Sequence, residues 1–235
     1  MPKLDPNDDD ARAQVKLFYD LVFDLRILHD IGKELFYDEQ AQWLMQETAH
    51  HFFLDLNRIV IEYFLLQMAK LTDPASSNTR EGRAENFTIA NLLENIEWPK
   101  DVLVELTRLS QAVCQFRKHI KPARNQILAH YDKKTIMSGA IRGAFPEGED
   151  DKVVNVLEDM CNVLHKASFG EVCGEMAQGH GGDVRDLKLA LRKAIAFDAV
   201  LGSASTFGSL LRENATEELR GLMLKCLNDT REGHI

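Results

Sequence analysis

Long apolar runs are absent from this 235-residue chain: no stretch of about 18 apolar residues occurs, so no segment has the length and composition to cross a bilayer as a helix. The first ten residues, from Met1-Pro2-Lys3-Leu4 to Asp8-Asp9-Asp10, are acidic and lack the basic and apolar regions of a signal peptide. A cytoplasmic location with no membrane partner is therefore expected. Cysteine is scarce. Cys114, Cys161, Cys173 and Cys226 are scattered without a C-x-x-C pair, which favours reduced, mostly structural thiols over disulfides or a zinc site. There is no P-loop and no dinucleotide-binding fingerprint, and Ser203-Ala204-Ser205 lacks the glycines of a nucleophile elbow. Internal repeats and convincing strand patterns are missing as well.

What the chain does contain is apolar residues at helical spacing. Hydrophobic residues make up 45% of the sequence, enough for a substantial core. Val15, Phe18, Val22, Leu25 and His29 recur three and four apart, with Leu21 and Leu28 widening the stripe, which predicts a first helix over about 10–36. A second, over about 38–71, carries Trp43, Phe53, Leu54, Ile61, Phe64 and Leu65 and is long enough to be the spine of a bundle. Asp73-Pro74 stops it, because proline disfavours helix in the preceding residue and has no amide to donate. Residues 74–86, rich in Ser, Asn, Gly and charge, read as a mobile loop.

A short helix from Thr88 to Ile96 follows, and Trp98-Pro99 starts another that reaches about His119. Pro122 then suits the first turn of a further helix, where its missing amide costs little. Residues 138–150 form a break, and helices over about 151–167, 183–203 and 214–228 complete an all-α design, with a Gly-rich stretch from Gly174 to Gly182. The short connections imply an antiparallel bundle in a single domain spanning 1–235.

The chemistry concentrates in one segment. Lys121-Pro122-Ala123-Arg124-Asn125-Gln126-Ile127-Leu128-Ala129-His130-Tyr131-Asp132 brings a guanidinium, an amide and an imidazole into two helical turns. An imidazole can take a proton from a ribose 2′-hydroxyl near neutral pH, and a guanidinium can hold a phosphate as charge builds on it, so these groups suit RNA cleavage without a metal. Charge agrees locally. Between Arg117 and Lys134, six basic residues (Arg117, Lys118, Lys121, Arg124, Lys133 and Lys134) face one acid, Asp132, a balance of +5; with the whole chain at −9, the remainder carries −14. A basic patch on an acidic body fits a short phosphate-binding site with no general affinity for long nucleic acid, and equally fits a solvated helix face.

Spacing raises a geometric problem. Residues six apart on an α-helix are rotated by about 600°, about 120° short of two turns, and lie about 9 Å apart along the axis, so Arg124 and His130 do not share a face. A second copy of the same helix across a two-fold axis supplies the simplest remedy, placing one protomer's Arg near the other's His. Taken alone, each residue also has a structural role open to it: Arg124 as a surface ion pair, Asn125 as a bridge between helices, His130 as a hydrogen-bonded bundle histidine. Ile127 and Leu128 are core positions in either case.

Arg124, a polar residue, four further positions and His130 resemble the R-x4-6-H motif of the HEPN superfamily, all-helical proteins that include RNases of toxin and phage-defence systems. The features that precede the motif keep the same order: Asp55-Leu56-Asn57-Arg58, Lys70-Leu71-Thr72-Asp73-Pro74, Asn86-Phe87-Thr88-Ile89 and Leu92-Leu93, ending in Ala129-His130-Tyr131-Asp132. This set resembles the AbiU-like abortive-infection branch over residues 10–205 or so, leaving 206–235 as a C-terminal helical extension. The resemblance implies an antiparallel HEPN-like bundle with added C-terminal helices, a homodimer with a composite site at the motif helix, and no cofactor. It implies catalytic roles for Arg124, Asn125 and His130. Lys121, Arg117, Lys118 and Lys133 are the candidates for RNA phosphate, and Asp132 and Tyr131 lie behind them as supports. RNA is the expected substrate and a cognate antitoxin an expected partner; a noncatalytic HEPN-like nucleotide-binding or protein-interaction module is the alternative.

Metal is not expected. Glu47-Thr48-Ala49-His50 has the Glu-x-x-His spacing of di-iron bundles, with His51 beside it, but such sites need two copies and two more carboxylates. His180, in the Gly-rich stretch, has no ligand neighbours in sequence.

Overall fold

The computed structural model describes residues 3–79, 82–123, 146–174 and 183–202. These form six helices and one hairpin: α1 (Asp9–Phe36), α2 (Glu39–Leu71), β1 (Ser76–Thr79), β2 (Gly82–Glu85), α3 (Ile89–Asn95), α4 (Lys100–Ala123), α5 (Glu149–Phe169) and α6 (Val184–Gly202). The all-α expectation holds, and the first two helices begin and end within a residue of where apolar spacing places them. Two expected elements, the helix over 214–228 and most of the break over 138–150, lie outside the described residues.

Contacts divide the chain into two compact units, one of residues Met1–Asp38 and His51–His180, the other of Glu39–His50 and Gly181–Ile235. In the first, α1 turns Val15, Phe18, Val22, Leu25 and His29 inward, the stripe that the three-and-four spacing marks. The core continues through Phe64, Leu65 and Met68 of α2, Leu106, Leu109, Val113, Phe116 and Ile120 of α4, and Val153, Val154, Leu157, Met160, Cys161 and Leu164 of α5. Length alone suggests α2 as the spine, but the closest packing centres on α5, which lies along both α1 and α4. The reason is composition: α5 concentrates its apolar residues on one stripe, whereas α2 leaves Phe52, Leu54, Ile59 and Tyr63 exposed as well as burying Phe53 and Phe64.

Polar ties reinforce the α1–α5 contact. Arg12 Nε donates to the Ser168 carbonyl at 3.0 Å, and Arg26 reaches Glu158 at 3.0 Å. Burial pushes the Glu158 carboxyl above the usual range, with Arg26 opposing the shift. Cys161 is buried and its thiol is raised well above the ordinary value by that burial, as a structural cysteine requires.

The stretch after α2 is a hairpin, where a loop was expected. β1 and β2 pair antiparallel, Ser76 opposite Glu85 and Thr79 opposite Gly82. Their described side chains are mostly polar and exposed, so no alternation of apolar residues betrays them. The base is closed by Asn86, whose amide N–H donates to the Ala75 carbonyl at 2.8 Å and whose side chain donates to the Pro74 carbonyl at 2.9 Å. Thr88 then caps α3 by accepting the Asn91 amide at 3.1 Å, and the Trp98 indole donates to the Leu92 carbonyl at 2.9 Å. The Asn-Phe-Thr-Ile segment is thus a hairpin clamp followed by a helix cap.

α4 also differs from expectation. It runs through Pro122 to Ala123, so Pro122 lies in its last turn and not in the first turn of a separate helix. A helical proline forfeits one backbone bond, a loss most easily borne near a helix end.

In the second unit, Ala41, Leu44, Met45 and Val184 are buried, and Arg192 donates to the Gln40 side chain at 2.5 Å.

Within α1, Gly32 occupies ordinary helical backbone, and a Cβ there meets Val60 Cγ1 at 3.6 Å, normal van der Waals contact. Glycine inside a helix is destabilising relative to alanine by roughly 0.5–1 kcal/mol. Gly32→Ala is therefore expected to raise stability by about that amount in urea denaturation, and a lower unfolding midpoint would mean that α1 needs the glycine for close approach.

Candidate functional site

The described part of the basic segment is the final turns of α4. Phe116 and Ile120 face the core, which leaves Lys118 and His119 on the exposed side and Arg117 between the two environments. Arg117 is engaged: one of its terminal nitrogens lies 3.3 Å from Asp73 Oδ1, just beyond the end of α2, with about a third of its side chain exposed. That ion pair ties α2 to α4 and gives Asp73 a role besides stopping the helix. Lys118 Nζ donates to the Gln115 side chain at 2.7 Å on the exposed surface. Lys121 belongs to the same helix by its backbone. Arg124, Asn125, His130, Tyr131, Asp132 and Lys133 fall outside the described residues, as does His180.

For phosphate recognition, Lys118 is the most available of the described residues. Its short bond to an uncharged amide is readily exchanged for a charge-assisted one.

A separate groove of about 340 Å³ lies in the same unit, lined by Leu21, Leu25 and Leu28 of α1, Tyr63 and Lys70 of α2, and Phe87. Its walls are mainly apolar, with Asp24, Gln67 and Lys70 as polar points. Lys70, Leu71 and Phe87 come from segments that also carry the AbiU-like resemblance.

The Glu-x-x-His spacing at Glu47–His50 does not survive folding. Ala49 has non-helical angles (φ −143°, ψ 58°) and kinks α2 between the two residues, so Glu47 and His50 are not stacked one turn apart. A different polar cluster forms between α1 and α5. His29 lies on the apolar stripe of α1 and reads as core from spacing, and it is buried; but its Nε2 lies 3.2 Å from Asp150 Oδ2, 121 residues away in sequence. Glu149, Asp150 and Asp151 form the first turn of α5, which opens two residues before the expected start at 151. The meeting with His29 depends on how α1 and α5 pack, which no local spacing encodes.

The model of the AbiU2 family, a HEPN family, matches residues 9–187. No curated protein and no solved structure matches the chain.

Proposed function

Because the chain belongs to the AbiU2 family of HEPN proteins, we propose that it is a metal-independent endoribonuclease of an abortive-infection or toxin–antitoxin system, acting in the cytoplasm as a homodimer. The observation that carries this reading is that the matched region, 9–187, contains the whole segment from Arg117 to Lys134 with its Arg124, Asn125 and His130. Helix α4, which carries the start of that segment, holds Lys118 on its exposed side, suited to bringing RNA phosphate towards it.

In the reaction, His130 takes the proton of the ribose 2′-hydroxyl, and the freed oxygen attacks the adjacent phosphorus while the bond to the 5′-oxygen breaks. The leaving 5′-oxygen receives a proton, from the second copy of His130 or from water. Arg124 holds the charge that gathers on the non-bridging oxygens, and Asn125 orients the phosphate or the imidazole. Lys118, Lys121 and Lys133 neutralise flanking phosphates, with Arg117 shared between RNA and Asp73. Asp132 and Tyr131 orient His130. A cognate antitoxin that covers this basic patch would restrain the enzyme.

Incubation of purified protein with labelled RNA in EDTA tests the proposal, with a thermal melt in the same buffer to verify that the protein is folded. The expected products carry a 2′,3′-cyclic phosphate and a 5′-hydroxyl. Ends bearing a 3′-hydroxyl and a 5′-phosphate would exclude the route through the 2′-oxygen. Folded protein that binds RNA or a nucleotide without cutting would favour a noncatalytic binding module, which an acidic chain with one basic patch also suits.

A further inference from the structure

We propose that His29, Asp150 and Asp151 form a site for one divalent transition cation of the zinc type, which clips the C-terminal third of α1 to the first turn of α5. His29 Nε2 faces two carboxylate oxygens at once, Asp150 Oδ2 at 3.2 Å and Asp151 Oδ1 at 3.4 Å. Nitrogen and oxygen ligands held about 2.0–2.1 Å from a tetrahedral zinc ion lie about 3.3 Å from one another. The two separations thus already match edges of such a tetrahedron, and all three ligand atoms lie within 4.8 Å of each other.

The imidazole supplies the second, independent reason. Its other nitrogen, Nδ1, is buried without a hydrogen-bond partner and faces Asp30 Oδ1 at 3.6 Å. Neither neutral tautomer suits these surroundings. With the proton on Nε2, the Nδ1 lone pair points at a carboxylate. With the proton on Nδ1, the Nε2 lone pair converges with two carboxylate oxygens. A cation at that convergence satisfies all three atoms, and the Nδ1 proton then points to Asp30, the carboxylate–histidine–metal arrangement that orients ligating imidazoles.

Charge points the same way. Asp30, Asp150, Asp151 and Glu158 outnumber the cations Arg26 and Lys33 that pair with them, and both His29 and Asp150 are more than nine-tenths buried. Lys33 does not compete for the same atom: it bonds Asp151 Oδ2 at 2.7 Å, leaving Oδ1 to the metal. A small cavity of about 50 Å³ borders His29, Lys33 and Asp150, with room for a water to complete the coordination. One imidazole and two carboxylates favour zinc or its neighbours over magnesium or calcium, which take oxygen. The role is structural, so it adds no metal to the cleavage chemistry.

The full-length protein, stripped with EDTA and dialysed, is titrated with Zn²⁺ in the absence of RNA, so that the outcome does not depend on cleavage. Wild type is expected to take up one Zn²⁺ per chain at this site, with a rise in melting temperature. Removing a ligand is expected to weaken uptake by about 10²-fold, at or beyond the upper end for outer-shell partners. His29→Gln and Asp150→Asn report this directly, and Asp151→Asn, at a more exposed position, serves if the buried variants fail to fold. A His50→Ala/His51→Ala variant should bind as wild type does. Co²⁺ should give visible bands of a tetrahedral N/O site in wild type and lose them with His29→Gln. Wild type that takes up no Zn²⁺, or folded ligand variants that bind as tightly as wild type, would overturn the site.

Discussion

Alanine at His130 or at Arg124 is expected to lower single-turnover RNA cleavage by about 10²-fold or more, the usual cost of removing a group that acts mainly in the transition state. In the proposed reaction the imidazole moves the proton and the guanidinium holds the phosphate charge. Neither function is replaced by water at comparable rate, and RNA binding should change far less than the rate. The spacing of the two residues makes a sharper test available. Six positions apart, two residues of one ideal helix would point about 120° away from each other, so the proposed pair would form more easily from two chains around a two-fold axis. The two centres then merge into one cleft with two copies of each residue. Mixing an Arg124→Ala protomer with a His130→Ala protomer leaves one intact Arg and one intact His in that cleft, and the heterodimer should cut faster than either parent homodimer. Verified heterodimers as inactive as both parents would exclude a cleft that needs only one copy of each. Variants that cut as fast as wild type would remove the catalytic assignment altogether.

The residues differ in how much of their role a sequence can reveal. The stripe of Val15, Phe18, Val22, Leu25 and His29 was legible because a helix writes its buried face at a fixed period, and each of the five is buried. The hairpin at 76–85 was not, since its strands are mostly exposed and polar and are held by backbone pairing and the Asn86 clamp, which leave no hydrophobic alternation. Proline's preference for helix starts predicts a new helix at Pro122, yet Pro122 continues α4. Local preference does not specify which of two neighbouring turns a residue joins. For the candidate site, Arg117 and Lys118 stood out as charge on a sequence window, and the fold adds that Asp73 already holds Arg117. The His29 cluster was invisible for a different reason. Each of its members has an ordinary local explanation, and only the packing of α5 along α1 converts a core histidine and a helix-opening acidic turn into one polar centre.

Truncating Phe116 to alanine is expected to cost about 3–5 kcal/mol, a large share of the 5–15 kcal/mol by which folded domains typically exceed unfolding. The side chain is 2% exposed and lies among the core residues of α1, α2, α4 and α5. Its ring meets Phe64 edge to face, with centroids 6.3 Å apart and planes at 80°, an arrangement that adds about 0.5–1.5 kcal/mol to area burial. Alanine removes the aromatic pair as well as the buried area and leaves a void that helices on several sides cannot all close. Phe116→Leu keeps much of the volume and should lose clearly less. Val104, on the same helix but 65% exposed, supplies the control: Val104→Ala should shift stability by no more than about 0.5 kcal/mol. Urea denaturation of the three variants measures the series. A loss below about 1 kcal/mol for Phe116→Ala would mean that α4 is not anchored through this residue. The anchoring bears on function, because Arg117 and Lys118 follow Phe116 directly, and the position of the cations at the end of α4 depends on how firmly that ring is held between the helices.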